Sequence, residues 1–177
     1  MRPRRGYGRH DRGAAAVEFA LVVPLLLLLV FGIIDYGRFF FDSVSLRQGA
    51  REGARQAVVL KYGSCTGPSV GAKIACSAKR ASDITLGTPL VYIPALAVAP
   101  VTNPVTPNWA QGAQLLVCMQ SKEVGTQFVP FPADGILKTK TYMSIEVDTA
   151  PVDIDPTYSS DDAAVAAIGS NWSWCVP

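Results

Sequence analysis

Three sets of residues in this chain have types and spacings that could do chemistry. The first is a lone acid, Glu18, set in an otherwise uncharged apolar run from Ala14 to Ile34. A carboxylate placed inside a bilayer costs on the order of 2.5 to 3.5 kcal/mol and calls for a positive partner, yet no basic residue lies within the run. The second set is four cysteines, Cys65, Cys76, Cys118 and Cys175, all beyond that run. An even number in a region facing an oxidising space reads as two disulfides. Of the three possible connectivities, closeness in sequence favours Cys65 with Cys76, which leaves Cys118 to tie Cys175. Zinc is the competing reading, but there is no CxxC spacing and the only histidine, His10, is near the N-terminus. The third set is acidic: Asp153, Asp155, Asp161 and Asp162 offer oxygen ligands for calcium but lack the glycine and closing glutamate of an EF-hand loop. A solvated loop and a helix cap are the default reading there. Asn171-Trp172-Ser173 matches a glycosylation sequon, a short pattern to which no role is assigned.

The elements that position these groups are a leader, a stem and a head. Residues 1–13 hold five arginines, Arg2, Arg4, Arg5, Arg9 and Arg12, and one aspartate. Of the chain's 16 basic and 14 acidic residues, 11 and 13 lie beyond this leader, so stem and head carry −2 and no nucleic-acid surface is indicated. The stretch from Ala14 to Ile34 would reach roughly 30 Å as a helix, the thickness of a hydrocarbon core. Arginines before a span favour a cytoplasmic N-terminus and an extracytoplasmic head, although Arg38, Arg47 and Arg51 soon after it weaken the asymmetry. The membrane segment is read as 14–41, with Pro24 removing one ladder bond and kinking the helix. Asp35 and Arg38 flank Tyr36 at the outer interface, beside an aromatic belt of Phe39, Phe40 and Phe41.

Residues 42–62 read as an amphipathic stem helix. Leu46, Gly49, Ala50, Gly53, Ala54, Ala57 and Val58 follow the spacing of one helical face, and almost all are small. Such a stripe lets another backbone approach closely. It serves either the chain's own head or another subunit, and both uses are compatible. Gly63 supplies the C-cap, ending the helix at residues 61–63.

Residues 63–177 form the head. A short helix starts near Ser69, with Val70, Ile74 and Ala78 on one face. Leu90 to Ala99 is apolar but broken by Pro94, hence an edge strand or two pieces. The two prolines of Thr102 to Asn108 mark a loop. Gln114 to Gln120 is a buried strand, and Lys138 to Asp148 alternates, with Met143, Ile145 and Val147 on one side. Pro130, Pro132 and Ala133-Asp134-Gly135 turn one into the other. A helix from Asp161–Asp162 through Ile168 closes at Gly169, and Trp172 and Trp174 pack near Cys175. The expected fold is α+β: a long N-terminal transmembrane and stem helix carrying a small antiparallel sheet, pilin-like in layout.

An ordinary signal peptide would be shorter and followed by a small-residue cleavage site. Here Gly13 ends the basic leader and Glu18 is the fifth residue from Ala14. The stretch GAAAVEFALVVPLLLLLVFGIIDYGR resembles the N-terminal signature of the TadE-like family, pseudopilins of the tight-adherence (Flp/Tad) pilus machinery, over about residues 12 to 60. The resemblance implies cutting between Gly13 and Ala14 by a prepilin peptidase. It also implies that Glu18 pairs with the new amino terminus, on its own chain or a staggered neighbour, to set subunit register. The family often carries a proline at the place of Pro24. Read without the resemblance, Glu18 equally suits the cytoplasmic interface, six residues past Arg12. The implied partners are the membrane, the peptidase and other pilin or pseudopilin subunits through the stem, with no nucleic acid, small-molecule substrate or cofactor. Without the leader the chain has no histidine, which removes Ser-His-Asp and Cys-His catalysis, and no Walker, GxGxxG or HExxH spacing occurs, so no enzyme is expected. The alternative is a membrane-anchored extracytoplasmic binding or adhesion module whose stem is only an anchor.

Overall fold

The computed structural model describes residues 10–85, 87–94, 111–124, 132–147, 158–159 and 162–176. Its backbone element is one helix, α1, His10–Val58, about 70 Å long at 1.5 Å per residue. It begins before Gly13 and runs through Pro24 without interruption. The first half, Gly13 to Ile34, touches almost nothing: its Val, Leu, Phe and Ile side chains are largely exposed. From Asp35 onward one face is buried at Asp35, Phe39, Asp42, Leu46, Gly49, Ala50, Gly53, Ala54, Ala57 and Val58, a stripe repeating every three or four residues. The head sits on that stripe.

Helix α2, Val70–Ala81, starts where Ser69 turns its hydroxyl to accept the Ala72 amide at 3.2 Å, an N-cap. It buries Val70, Ile74 and Ala78. Among the described residues the sheet has four strands: β1, Leu90–Ile93; β2, Gln114–Lys122; β3, Ile136–Ser144; and β4, Tyr158–Ser159. Their order is β3-β2-β1-β4 and each neighbouring pair is antiparallel, with Leu115 opposite Met143 and Val91 opposite Met119. Alternation along β2 divides the head into two cores. Leu115, Val117 and Met119 join the core shared with α1 and α2, whereas Leu116 and Cys118 face a second cluster with Tyr92, Trp172, Trp174 and Cys175. A short helix, α3, Asp162–Ala167, precedes that tail and closes with Gly169 at φ +70°, whose amide bonds the Ala166 carbonyl at 3.0 Å.

Four expectations need correction. Helix α1 ends at Val58, not at residues 61–63, and Gly63 is not its cap. Leu60 takes the left-handed position at φ +53°, with the Leu60 and Lys61 amides bonding the carbonyls of Ala57 and Gln56, both at 3.0 Å. A leucine holds a place usually given to glycine because its side chain packs against the head core. Strand β1 is not an edge, since β4 pairs outside it; it stops at Ile93, before Pro94. The alternating strand starts at Ile136 and leaves the ladder after Ser144. The aromatic belt is split: Phe39 is in the head core, while Phe40 and Phe41 are exposed. Residues 1–9, most of the apolar continuation of β1, the 102–108 loop, Pro130, Asp148, Asp153, Asp155 and Asp161 lie outside the described residues.

Candidate functional site: the two halves of the stem helix

The outer half of α1 is consumed inside the molecule. At Gly49 a Cβ would lie 2.6 Å from the Ala78 carbonyl oxygen and 2.7 Å from Ser82 Cβ; at Gly53 it would lie 2.7 Å from Ala78 Cβ. The glycines therefore let α2 ride directly on α1, and Ala50, Ala54 and Ala57, each 0 % exposed, continue the same contact. The small-residue stripe faces the chain's own head. Across the helix Arg47, Arg51 and Arg55 are exposed, with Arg55 bonding Glu52 at 2.8 Å. This ion pair lies at the surface, where solvent screens it.

The inner half is free of the head. Gly13, Ala14 and Glu18 are exposed, a Cβ at Gly13 would meet nothing within 4 Å, and Glu18 lies one helical turn from Ala14. The helix is long and apolar enough to cross a membrane, with none of its most apolar window covered by the rest of the chain. Water is a poor solvent for such a surface, so lipid or other apolar helices must cover it. The inner half therefore offers an apolar face to lipid or other helices, and exposed Phe40, Phe41 and Val44 carry apolar surface a little beyond it.

The four cysteines pair as Cys65–Cys76 and Cys118–Cys175. The first staples the middle of α2 to the loop that leaves the stem; the second fixes the tail to the middle of β2, with Tyr92 stacked on Trp172 at 5.1 Å.

One feature of the junction escaped the sequence reading. Asp35, expected at the membrane interface, is buried under the head, and so is Asp42 one heptad later. Asp42 accepts the Thr85 amide at 3.1 Å and the Thr85 hydroxyl at 3.2 Å. Beside it stands Glu123, just past β2 and also buried. Burial first, and the neighbouring Asp42 carboxylate second, push the Glu123 carboxyl up to about 8, with the nearby Ser121 hydroxyl pulling the other way. The signal was available: positions 35, 39, 42, 46 and 49 continue the buried stripe towards the membrane.

Residues 13–55 match the family model described as TadE-like protein, roughly a quarter of the chain. No curated protein and no solved structure matches the chain. The matched segment comprises the apolar inner half of α1 and the stripe that seats the head, so the chain carries a TadE-like N-terminal helix.

Proposed function

We propose that this protein is a pseudopilin or minor-pilin-like, non-enzymatic structural component of a Tad-type pilus, a relative of type IV pili. A prepilin peptidase cuts it after Gly13, and it sits in the membrane with its N-terminus inside and its head outside. The observation that carries this reading is the division of α1: a TadE-like helix whose inner half is apolar, uncovered and marked by one acid, while its outer half is committed to the head. Once Ala14 bears a free amino group, that cation lies one turn from Glu18, on the same helix or on a staggered neighbour. Pairing across subunits removes the cost of burying the carboxylate only at the correct axial offset, which is how a lone acid sets register.

Replacing Glu18 with Gln leaves membrane insertion intact, because it removes a charge from an apolar span. Its incorporation into sheared surface pili falls at least about tenfold, the consequence of losing roughly 1.4 kcal/mol of pairing. Immunoblots of the membrane and sheared fractions read both quantities, and equal incorporation of wild type and variant places Glu18 at the interface merely facing water.

A second reading has one observation in its favour. The stem's small-residue stripe is occupied by the chain's own head, so any subunit contact is left to the inner half and to the polar back of the helix. A head that needs the helix only as an anchor would keep its activity when residues 14–34 are exchanged for an unrelated spanning helix. The assembly reading expects that exchange to abolish incorporation.

A further inference from the structure

The covered and uncovered faces of α1 overlap along the helix axis. On the head side the cover begins at Asp35 and continues through Phe39 and Asp42, none of them more than 8 % exposed. On the opposite side apolar side chains stay uncovered past that level: Phe40 is 63 % exposed, Phe41 50 % and Val44 53 %. Ile33, Phe40, Val44, Arg47 and Arg51 stand at i, i+7, i+11, i+14 and i+18 of one helical face, so the apolar stripe runs straight out of the spanning segment and ends on exposed arginines. From Ala14 to Val44 this face reaches roughly 46 Å at about 1.5 Å per residue. That is well beyond a hydrocarbon core of roughly 30 Å and close to the roughly 40 to 45 Å of a bilayer with both headgroup layers.

The end of the head nearest the spanning segment is apolar as well. Two contacts fix which end that is: at the far end of α1 the Glu146 amide donates to the Val58 carbonyl at 3.4 Å, whereas nearer the span Asp42 accepts the Thr85 amide at 3.1 Å. Gly87, two residues after Thr85, lies against the end of β2, for a Cβ there would stand 2.7 Å from the Lys122 carbonyl oxygen. At this end Val124 is 62 % exposed. It borders a cleft of about 610 Å³ whose walls include Thr85, Leu90, Lys122, Ala167 and Ile168.

We infer that this end of the head is immersed in the headgroup layer of the membrane, where lipid covers Phe40, Phe41 and Val44 on the back of α1 and Val124 with its cleft on the head. A carboxylate at that depth meets a medium that solvates it poorly, and the head covers both Asp35 and Asp42 there. Arg38 is exposed on the flank, with a stem long enough to carry its charge to the phosphates. Arg47 and Arg51, one and two turns past Val44, suit the same groups. They also disfavour a second copy as the cover, since two stems meeting back to back would bring like charges together. The inference rests on the membrane part of the proposed function, not on processing or pilus assembly.

The test uses the full chain in vesicles of phosphatidylcholine and phosphatidylglycerol, with a nitroxide on one introduced cysteine: Leu26→Cys, Val44→Cys, Lys61→Cys or Val124→Cys. All four side chains are exposed, so the fold does not depend on them, and the native cysteines are paired. Collisions with oxygen, which concentrates in lipid, are compared with collisions with a water-soluble nickel chelate. The oxygen-to-nickel ratio is expected to be highest at Leu26, intermediate at Val44 and Val124, and severalfold lower at Lys61, beyond the far end of α1. Ratios at Val44 and Val124 equal to that at Lys61 would hold the head clear of the bilayer and overturn the inference. Lipid contact at Val44 with water at Val124 overturns it too, since the head would then lie outside the headgroup layer. So does a Val44 label screened from both reagents and broadened by a neighbouring label, which would put a second copy there. A ratio at Leu26 as low as that at Lys61 removes the membrane reading itself, and this inference with it.

Discussion

Gly53→Leu is expected to separate the head from its stem, with a loss above about 4 kcal/mol, in the range reserved for severe core disruption. At Gly53 even one methyl group would meet Ala78 Cβ at 2.7 Å, and behind that atom the Ala78 backbone stands at 3.2 Å. A neighbouring backbone cannot rotate out of the way as a flexible side chain can. Helix α2 is further restrained by the Cys65–Cys76 bridge and by β1 and β4 behind it. Four extra heavy atoms must therefore lift the whole layer. Gly53→Ala separates the two opposing effects: it gains roughly 1 kcal/mol of helix propensity and loses about 1 to 3 kcal/mol to overpacking, leaving a small net loss. Thermal melts and limited proteolysis of the full chain in micelles distinguish these cases. The leucine variant should release the head as a protease-sensitive segment while α1 stays in the micelle. A leucine variant as stable as wild type would mean that this face of the stem does not seat the head.

The second large effect concerns the tail. Removing the Cys118–Cys175 bridge is expected to cost about 4 kcal/mol, because the separation of 57 residues is long and the unfolded chain gains correspondingly more freedom. The Cys65–Cys76 bridge closes only 11 residues and is worth about 3 kcal/mol on the same basis. The longer bridge also holds the cover of the outer core. Cys118 and Leu116 are enclosed only while Trp172, Trp174 and Cys175 lie over β2, an arrangement assisted by the Lys140 amine and the Tyr142 hydroxyl donating to the Val176 carbonyl at 3.1 and 3.2 Å. A Cys118→Ala/Cys175→Ala double variant should melt well below a Cys65→Ala/Cys76→Ala variant and shift tryptophan emission to the red. The opposite ranking would mean that the tail contributes little to the head.

Much of the stem was legible because helix periodicity is a strong signal. The sequence positions Leu46, Gly49, Ala50, Gly53 and Ala57 point one way on any regular helix, and that face is buried. What periodicity could not say was whose surface would cover it; the answer came from the close approach of Ala78 and Ser82. The same stripe runs back to Asp42 and Asp35, yet a charged residue after an apolar run reads as the edge of a membrane, which is where the sequence puts Asp35, and Asp42 carries no signal of its own. Their burial depends on the head folding down over them, a long-range event with no local signature. Glu123 was invisible for the same reason, since it meets Asp42 only through the tertiary fold. Gly63 carries the better cap signal in the sequence, and packing against the core gives the left-handed position to Leu60 instead. The interior place of β1 rests on a partner strand of two residues, Tyr158–Ser159, too short to leave a pattern. By contrast β2 was readable as buried, since Leu115 to Met119 are apolar on both faces.

In the proposed function the inner half of the helix acts through a single covalent event. Glu18 acquires its positive mate only if the chain is cut between Gly13 and Ala14, and both residues are exposed on a helix that the head does not shield. Intact mass and N-terminal sequencing of the protein recovered from the membranes and pili of cells with an active prepilin peptidase test this directly. The expected product begins at Ala14, five residues counting to Glu18. Recovery of the chain still carrying Met1 and its arginines, from cells that build normal pili, would contradict it.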